Sequence, residues 1–236
     1  MSRRSPESAA DPWQGCRRPR PHGSVSHPHG GGIVRHAGPA PSEARAVAIL
    51  LHGRGGSAAD ILTLAPEIGM DDIAYVAPEA VGNSWYPYRF TESFERNQPY
   101  LDSALRRVGE MVDRTTTFGV PISRVVLLGF SQGACLALEY AARNATAYGG
   151  LVALSGGLIG PDDAPRDYAG RLDGTPAFLG CSDTDPHIPV ERVHETATVL
   201  DRLGADVTKR IYPGWIHSVN TDEIGAVRDL MAGITA

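Results

Sequence analysis

The sequence predicts one α/β domain, in which helices cover both faces of a mostly parallel, twisted sheet and no large cap domain is inserted. Short continuous apolar runs, which are typical of strands buried on both faces, alternate with segments whose apolar residues recur at helical spacing. A chain of 236 residues can bury one sizeable core. The polar residues that carry candidate chemistry follow the apolar runs, and sites in such sheets form at the carboxyl ends of the strands.

The predicted elements alternate from residue 46 onward. Strands are expected at residues 46–51, 73–77, 125–128, 150–154, 176–180 and 207–212. Helices are expected at residues 58–68, 101–112, 134–143, 190–200 and 224–231. Ser57 is a favourable N-cap for the first of these helices. Residues 79–100 and 156–174 are predicted to be loops.

Residues 1–43 differ in composition from the rest, and we predict a flexible arm here beside a folded domain at residues 44–236. The arm holds 7 of the 18 prolines and six arginines against three acidic residues, a composition that buries too little apolar surface to fold alone. Residues 31–37 are a candidate edge strand. The arm also holds four histidines without regular ligand spacing, which favours a solvated segment over a metal site. They are His22, His27, His29 and His36.

Composition and charge exclude several kinds of partner. A net charge of −5 argues against nucleic acid, and the longest apolar runs, of about six residues, are too short to cross a membrane. The three cysteines, Cys16, Cys135 and Cys181, form neither a disulfide framework nor a metal site. The paired arginines near the start are not followed by an apolar segment, so no secretory signal is expected. We therefore expect a cytoplasmic protein with no stable membrane anchor.

The most informative stretch is the pentapeptide at residues 129–133, which joins an apolar run to a helical segment. It reads Gly-Phe-Ser-Gln-Gly, a Gly-x-Ser-x-Gly pattern in the strand–turn–helix setting of a nucleophile elbow. Such a turn strains the backbone of the serine, and side chains two residues away would collide, which explains both glycines. The free N–H groups at the start of the following helix favour negative charge. Ser131 is therefore the candidate nucleophile.

A serine hydroxyl needs a base that takes its proton and a carboxylate that orients the base. The expected chain order is serine, acid, histidine, and three histidines follow Ser131. His194 lies on the polar face of a predicted helix, and His187 lies in the candidate acid loop. His217 follows the last predicted strand in a glycine-bearing loop from which a side chain reaches back to the elbow, so it is the predicted base.

Two carboxylates compete for the role of the acid in the loop after residues 176–180. Asp185 directly precedes a Pro-x-x-Pro stretch, which fixes the backbone and can aim one side chain, and it is the predicted acid. Asp183 is the alternative, and we expect it to cap its own loop through the backbone. Asp222 and Glu223 are expected to begin the last helix.

The oxyanion of a tetrahedral intermediate needs backbone N–H groups that already point toward it. One predicted donor is the N–H of Gln132, directly after the nucleophile, and the other is the N–H of Arg54, in the turn after the first core strand. The Arg54 side chain is expected to point to water. Aromatic loop residues often pack rather than bind, so both interpretations stay open for a candidate apolar substrate pocket. Its residues are Trp85, Tyr86, Phe90 and Leu158.

With these motifs the chain resembles the phospholipase/carboxylesterase family of α/β-hydrolases, which includes acyl-protein thioesterases and broad-specificity carboxylesterases. The resemblance covers the chain from about residue 45 to the end. It rests on Leu-His-Gly-Arg-Gly at 51–55, Gly-Phe-Ser-Gln-Gly at 129–133, Leu-Ser-Gly-Gly at 154–157, Asp-Pro-His-Ile-Pro at 185–189 and Gly-Trp-Ile-His at 214–217. The family implies an α/β-hydrolase catalytic domain with Ser131, Asp185 and His217 as the triad. It also implies that the amides of Arg54 and Gln132 form the oxyanion hole.

The sequence thus predicts a serine hydrolase that cleaves small to medium carboxylic esters through an acyl-enzyme on Ser131. Thioesters, lactones and lysophospholipids belong to the same reaction class. No metal or organic cofactor is needed, and we expect a monomer or homodimer that acts on a small-molecule ester. Three alternatives stay open. A dienelactone-hydrolase-like enzyme shares the fold but usually has cysteine at the elbow, an acyltransferase uses the same triad and excludes water, and a non-catalytic binding module would normally have lost a triad member.

Overall fold

The structure, a computed structural model, describes Trp13 and residues 27–234 of the 236-residue chain. The strands in this part are β1 (Val34–Ala37), β2 (Ala46–Leu51), β3 (Ile73–Pro78), β4 (Val125–Phe130), β5 (Gly150–Leu154), β6 (Pro176–Ser182) and β7 (Asp206–Tyr212). They form one sheet in the order β1-β3-β2-β4-β5-β6-β7. Strand β1 is antiparallel to β3, and every other neighbouring pair is parallel.

Helices cover both faces of this sheet. Those of the described residues are α1 (Ala58–Leu62), α2 (Leu64–Ile68), α3 (Tyr100–Thr117), α4 (Gln132–Arg143), α5 (Val190–Arg202) and α6 (Thr221–Ala232). Helices α3, α4 and α5 pack on one face, and α1, α2 and α6 pack on the other. Successive residues of a strand point to opposite faces, so the odd-numbered residues of β2 contact the first layer and the even-numbered ones contact the second.

The predicted α/β architecture is confirmed, and one predicted helix is divided. The helix expected at residues 58–68 is two helices, α1 and α2, that meet at Thr63. Pro66 explains the break, because it lacks the N–H that would bond to the Leu62 carbonyl, and its ring crowds that carbonyl. No insertion within the described residues forms a separate cap. None of the helices in this part of the chain has the length and apolar character that a membrane crossing requires.

Residues 27–43 lie against the domain, which corrects the predicted solvated arm for this part of the chain. Strand β1 pairs along β3, as expected for the candidate edge strand. His29 is fully buried, and His27 is partly buried with its ring nitrogens 2.7 Å from Ser103 Oγ and 2.9 Å from Glu110 Oε1. The composition argument fails here because the burial comes from partners far along the chain.

The first 26 residues of the predicted arm, including His22 and Cys16, lie outside the described residues apart from Trp13. The ring of Trp13 packs edge-on against Phe118, with centroids 5.1 Å apart. The division of the chain into an arm and a domain at residue 43 therefore stays a prediction.

Candidate active site

Ser131 stands on a tight turn between strand β4 and helix α4. Its backbone φ of 54° and ψ of −118° place a non-glycine residue in a sparsely populated, strained region. A Cβ on Gly129 would lie 2.3 Å from the carbonyl of Gly133, and a Cβ on Gly133 would lie 2.0 Å from the carbonyl oxygen of Leu51. Both glycines are thus sterically required, as the motif predicts.

The structure brings Ser131, His217 and Asp185 into hydrogen-bonding contact. His217 Nε2 lies 2.9 Å from Ser131 Oγ, and His217 Nδ1 lies 2.6 Å from Asp185 Oδ2. A carboxylate can only accept, so His217 donates from Nδ1 and accepts at Nε2, which is the tautomer that a base needs. The three side chains follow strands β4, β7 and β6, so they meet at the carboxyl edge of the sheet.

Both oxygens of the Asp185 carboxylate accept hydrogen bonds. Oδ1 accepts from the backbone N–H of His187 at 2.8 Å and of Ile188 at 3.1 Å, and Oδ2 lies 3.9 Å from Cys181 Sγ. Burial alone would raise the pKa of Asp185, but the hydrogen bonds from His217 and from these backbone groups outweigh it and lower the pKa. Burial raises the pKa of the Cys181 thiol to about 12, so this thiol stays a neutral donor. Asp185 is therefore ionised at neutral pH.

Further contacts fix the ring of His217. Asp183 Oδ1 accepts from Gly214 N at 2.7 Å and ties the acid loop to the histidine loop, which corrects the expectation that Asp183 caps its own loop. The His187 ring lies edge-on to the His217 ring with centroids 4.8 Å apart, and Phe130 packs against the same ring at 5.0 Å. The acid loop and the elbow strand together hold the imidazole.

Residues 53–56 form a tight turn after β2, closed by a 3.1 Å backbone hydrogen bond, next to the elbow. Gly55 has a φ of 79°, which glycine adopts without strain. A Cβ on Gly53 would lie 3.4 Å from the Cβ of Ser131, so the turn and the elbow are in close contact. Within residues 27–234, no protein group accepts the backbone N–H of Arg54 or of Gln132.

The side chains of Arg54 and Gln132 hold residues 81–88, which we call the bridge loop. The Arg54 side chain is exposed, as expected, and its guanidinium also donates to three oxygens of this loop at 2.5–3.1 Å, which was not predicted. The Gln132 side-chain amide accepts from Trp85 N at 2.9 Å and donates to Tyr86 O at 2.8 Å. The oxygens that bind Arg54 are Ser84 Oγ, Pro87 O and Tyr88 O.

The four residues predicted to line a substrate pocket are buried in the core beneath the site. They are Trp85, Tyr86, Phe90 and Leu158, each at most 6% exposed. Trp85 supports the turn after β2, because its Nε1 donates to the His52 carbonyl at 2.9 Å and the two rings lie 5.0 Å apart. A role of the four residues in binding substrate stays a prediction.

Exposed apolar side chains occur in the histidine loop and in the bridge loop. Trp215 and Ile216, directly before His217, are 43% and 70% exposed, and Tyr88 of the bridge loop is 47% exposed. The sequence indicated Trp215 and Ile216, because these bulky apolar residues stand in the loop of the candidate base, but the predicted pocket did not include them. Among the residues that the structure describes, no group of three or more His, Cys, Asp or Glu side chains is arranged to hold a metal ion.

The fold and the site together define a class of protein. A parallel sheet with an elbow serine and with a carboxylate and a histidine on later strands is the arrangement of α/β-hydrolases. The family model described as Phospholipase/Carboxylesterase matches residues 39–234. The chain therefore belongs to the phospholipase/carboxylesterase family, a family of ester hydrolases. This confirms the predicted family and the predicted class of activity.

Individual relatives extend this result. A crystal structure of a phospholipase/carboxylesterase from Dyadobacter fermentans is 44% identical, with a TM-score of 0.82 over 85% of this chain and 96% of that one. Acyl-protein thioesterase 1 of Gibberella zeae is 26% identical over 219 residues, which cover 80% of this chain and 90% of the relative. A carboxylesterase from Mesorhizobium loti, 22% identical with a TM-score of 0.65 over 82% of this chain and 92% of that one, shares the fold.

Proposed function

We propose that Ser131 is the nucleophile, that His217 is the general base and acid, and that Asp185 orients His217. The 2.9 Å contact between Nε2 and Oγ carries this proposal, because the hydroxyl proton can be transferred at that distance. As Oγ of Ser131 attacks the carbonyl carbon of an ester, its proton moves to Nε2 of His217. The ionised carboxylate of Asp185, 2.6 Å from Nδ1, stabilises the resulting imidazolium.

The backbone N–H groups of Arg54 and Gln132 stabilise the oxyanion of the tetrahedral intermediate. Helix α4 begins at Gln132, so the positive end of its dipole adds to the effect. Collapse of the intermediate breaks the bond to the alcohol oxygen, which takes the proton from His217 and leaves an acyl-enzyme on Ser131. Water then gives its proton to His217 and adds to the acyl carbon. Ser131 Oγ departs with that proton, and the carboxylic acid is released.

The proposed substrates are carboxylic esters with small to medium acyl groups. The exposed side chains of Trp215 and Ile216, directly before His217, offer apolar contacts for an acyl group, and no cap restricts the approach within the described residues. Thioesters follow the same steps, and the acyl-protein thioesterase relatives support their inclusion. The cytoplasmic location and the monomeric or dimeric state stay predictions.

Labelling with a fluorophosphonate probe tests the nucleophile directly. Wild-type protein is expected to take up one probe and to hydrolyse p-nitrophenyl butyrate. Ser131→Ala should lose the label, and kcat should fall by more than about 10⁴-fold. The matched control is Ser123→Ala, because Ser123 is exposed just before strand β4, at the opposite end of that strand from the elbow. Intact labelling of Ser131→Ala would refute the assignment.

Two further measurements define the reaction. A panel of p-nitrophenyl esters of increasing acyl length, with matching thioesters, ranks the substrates by kcat/KM. Product analysis in the presence of an alcohol acceptor distinguishes hydrolysis, which gives the free acid, from acyl transfer, which gives a new ester.

A further inference from the structure

The bridge loop, residues 81–88, is fastened to both sides of the proposed oxyanion hole. Besides the three hydrogen bonds that the Arg54 guanidinium donates and one from Asn83 Nδ2 to Gly56 O at 2.8 Å, two more tie it to residues 52–56. A backbone N–H of the turn donates to the loop at 2.7 Å, and Nε1 of Trp85 donates to the turn at 2.9 Å. On the elbow side, the side-chain amide of Gln132 binds the backbone of the loop at 2.8 and 2.9 Å. The loop therefore sets the position of the turn relative to the elbow.

The side chain of His29, in the segment of residues 27–43, reaches the bridge loop. His29 is 0% exposed, its Nε2 donates to Trp85 O at 2.9 Å, and its Nδ1 accepts from Val81 N at 3.1 Å. A single imidazole thus satisfies two backbone groups of the loop. Burial lowers the pKa of His29 and keeps the ring neutral, as these two bonds require. His29 lies outside residues 39–234, which match the family model, so family membership assigns it no role.

We propose that His29 is a positioning residue for the oxyanion hole and acts through Trp85 and the bridge loop. This inference rests on the proposed role of the Arg54 and Gln132 amides. Without the imidazole, the N–H of Val81 and the carbonyl of Trp85 lose their partner, and the loop must shift to reach water. Oxyanion donors act on the transition state, so a displaced turn lowers kcat and leaves KM nearly unchanged.

His29→Leu removes both hydrogen bonds and leaves an apolar side chain in their place. We expect kcat for p-nitrophenyl butyrate to fall on the order of tenfold, with KM within about twofold of the wild-type value. His29→Gln retains a side-chain donor and acceptor and should recover most of the lost kcat. The matched control is Ile33→Ala, because Ile33 belongs to the same segment and its side chain is 53% exposed. Its kcat should stay within about twofold of wild type.

Trp85→Phe tests the next link in the path. It keeps a ring in the core and removes the Nε1–H that donates to His52 O, and its kcat should fall to a similar extent. In a double variant with His29→Leu, the loss should be smaller than the product of the two single losses, because both changes act through one loop. If circular dichroism shows that His29→Leu does not fold, the kcat values of Trp85→Phe and His29→Gln still test the proposed role of His29.

Several outcomes would overturn the proposal. They are a wild-type kcat in folded His29→Leu or in Trp85→Phe, an equal loss of kcat in Ile33→Ala, and a loss confined to KM. A double variant whose loss equals the product of the two single losses would also overturn it. Fluorophosphonate labelling separates this result from the proposed function. If Ser131 is labelled and His29→Leu is fully active, only the role of His29 is rejected, whereas labelled and active Ser131→Ala rejects the active site itself.

Discussion

Gly133 sets how closely helix α4 approaches strand β2, and its replacement by alanine tests that approach. A Cβ at this position would lie 2.0 Å from the carbonyl oxygen of Leu51 and 2.6 Å from that of His52. Real Cβ atoms essentially never lie within 3.0 Å of such atoms, so the two backbones must separate by about 1 Å. The turn after β2 carries one proposed oxyanion donor, and α4 begins with the other. The separation therefore moves the donors apart.

We expect Gly133→Ala to lower both activity and stability. A misplacement of about 1 Å costs on the order of 10²-fold in kcat, and an overpacked core costs about 1–3 kcal/mol of the free energy of unfolding. Steady-state hydrolysis of p-nitrophenyl butyrate measures the first quantity, and urea denaturation measures the second. Because the proposed donors act on the transition state, the loss should appear in kcat more than in KM.

Gly225→Ala is the matched control for this substitution. Gly225 lies within helix α6, and a Cβ there has no atom within 4 Å. Alanine should therefore stabilise the protein by about 0.5–1 kcal/mol through its higher helix propensity and leave kcat unchanged. Wild-type kcat and stability in Gly133→Ala would refute the steric argument, since the same change would then be tolerated at a crowded and at an open position.

Three further substitutions probe charges and hydrogen bonds, two of them in the site and one in helix α6. Asp185→Asn presents an amide N–H to Nδ1 of His217 and selects the tautomer whose Nε2 is protonated. Its kcat should fall by about 10⁴-fold with an unchanged circular dichroism spectrum, and a loss below about tenfold would contradict this role. Arg54→Ala keeps the backbone N–H but releases the bridge loop, so kcat should fall by about three- to tenfold; a loss of about three orders of magnitude would mean that the guanidinium itself acts on the substrate. Burial raises the pKa of Glu223 from 4.5 to about 7, so the folded state binds the extra proton between these values and the free energy of unfolding falls as pH rises through them. Glu223→Gln lacks this decline. Between about pH 5 and pH 8, the free energy of unfolding of the wild type should therefore fall by about 3 kcal/mol more than that of the variant, as measured by urea denaturation. An equal change in both proteins would contradict this prediction.

The sequence predicted those parts of the site that local sterics determine. The elbow glycines follow from clashes with neighbouring backbone, which Gly129 and Gly133 show at 2.3 and 2.0 Å. The Pro-x-x-Pro stretch directly after Asp185 predicted a rigid backbone, and the structure aims two backbone N–H groups of this loop at the Asp185 carboxylate. The chain order of the strands then left His217 as the histidine that reaches Ser131, and the structure brings the two within 2.9 Å.

Features that depend on distant partners could not be predicted in this way. The hydrogen bonds of Arg54 were missed, because the oxygens that bind it lie 30 to 34 residues away in the bridge loop. His29 looked like part of a polar arm, because its partner Trp85 is 56 residues away. Whether a polar side chain is buried depends on which segments the fold brings over it, and local composition does not contain that information. The predicted pocket has the same weakness, since the aromatic residues of a loop can turn toward the core as readily as toward a ligand.

Two buried imidazoles hold the bridge loop and the adjoining turn without introducing charge. His52 donates from Nδ1 to Gly53 O and accepts at Nε2 from Ala80 N, whereas His29 donates from Nε2 and accepts at Nδ1. The two rings lie 5.0 and 5.6 Å from the Trp85 ring. Burial lowers the pKa of both histidines, so their contribution to stability is present above about pH 6.5 and is lost as pH falls. Protonation of either ring would place a donor against a backbone N–H. Acid would thus weaken the support of the turn that carries one proposed oxyanion donor, independently of the proposed base.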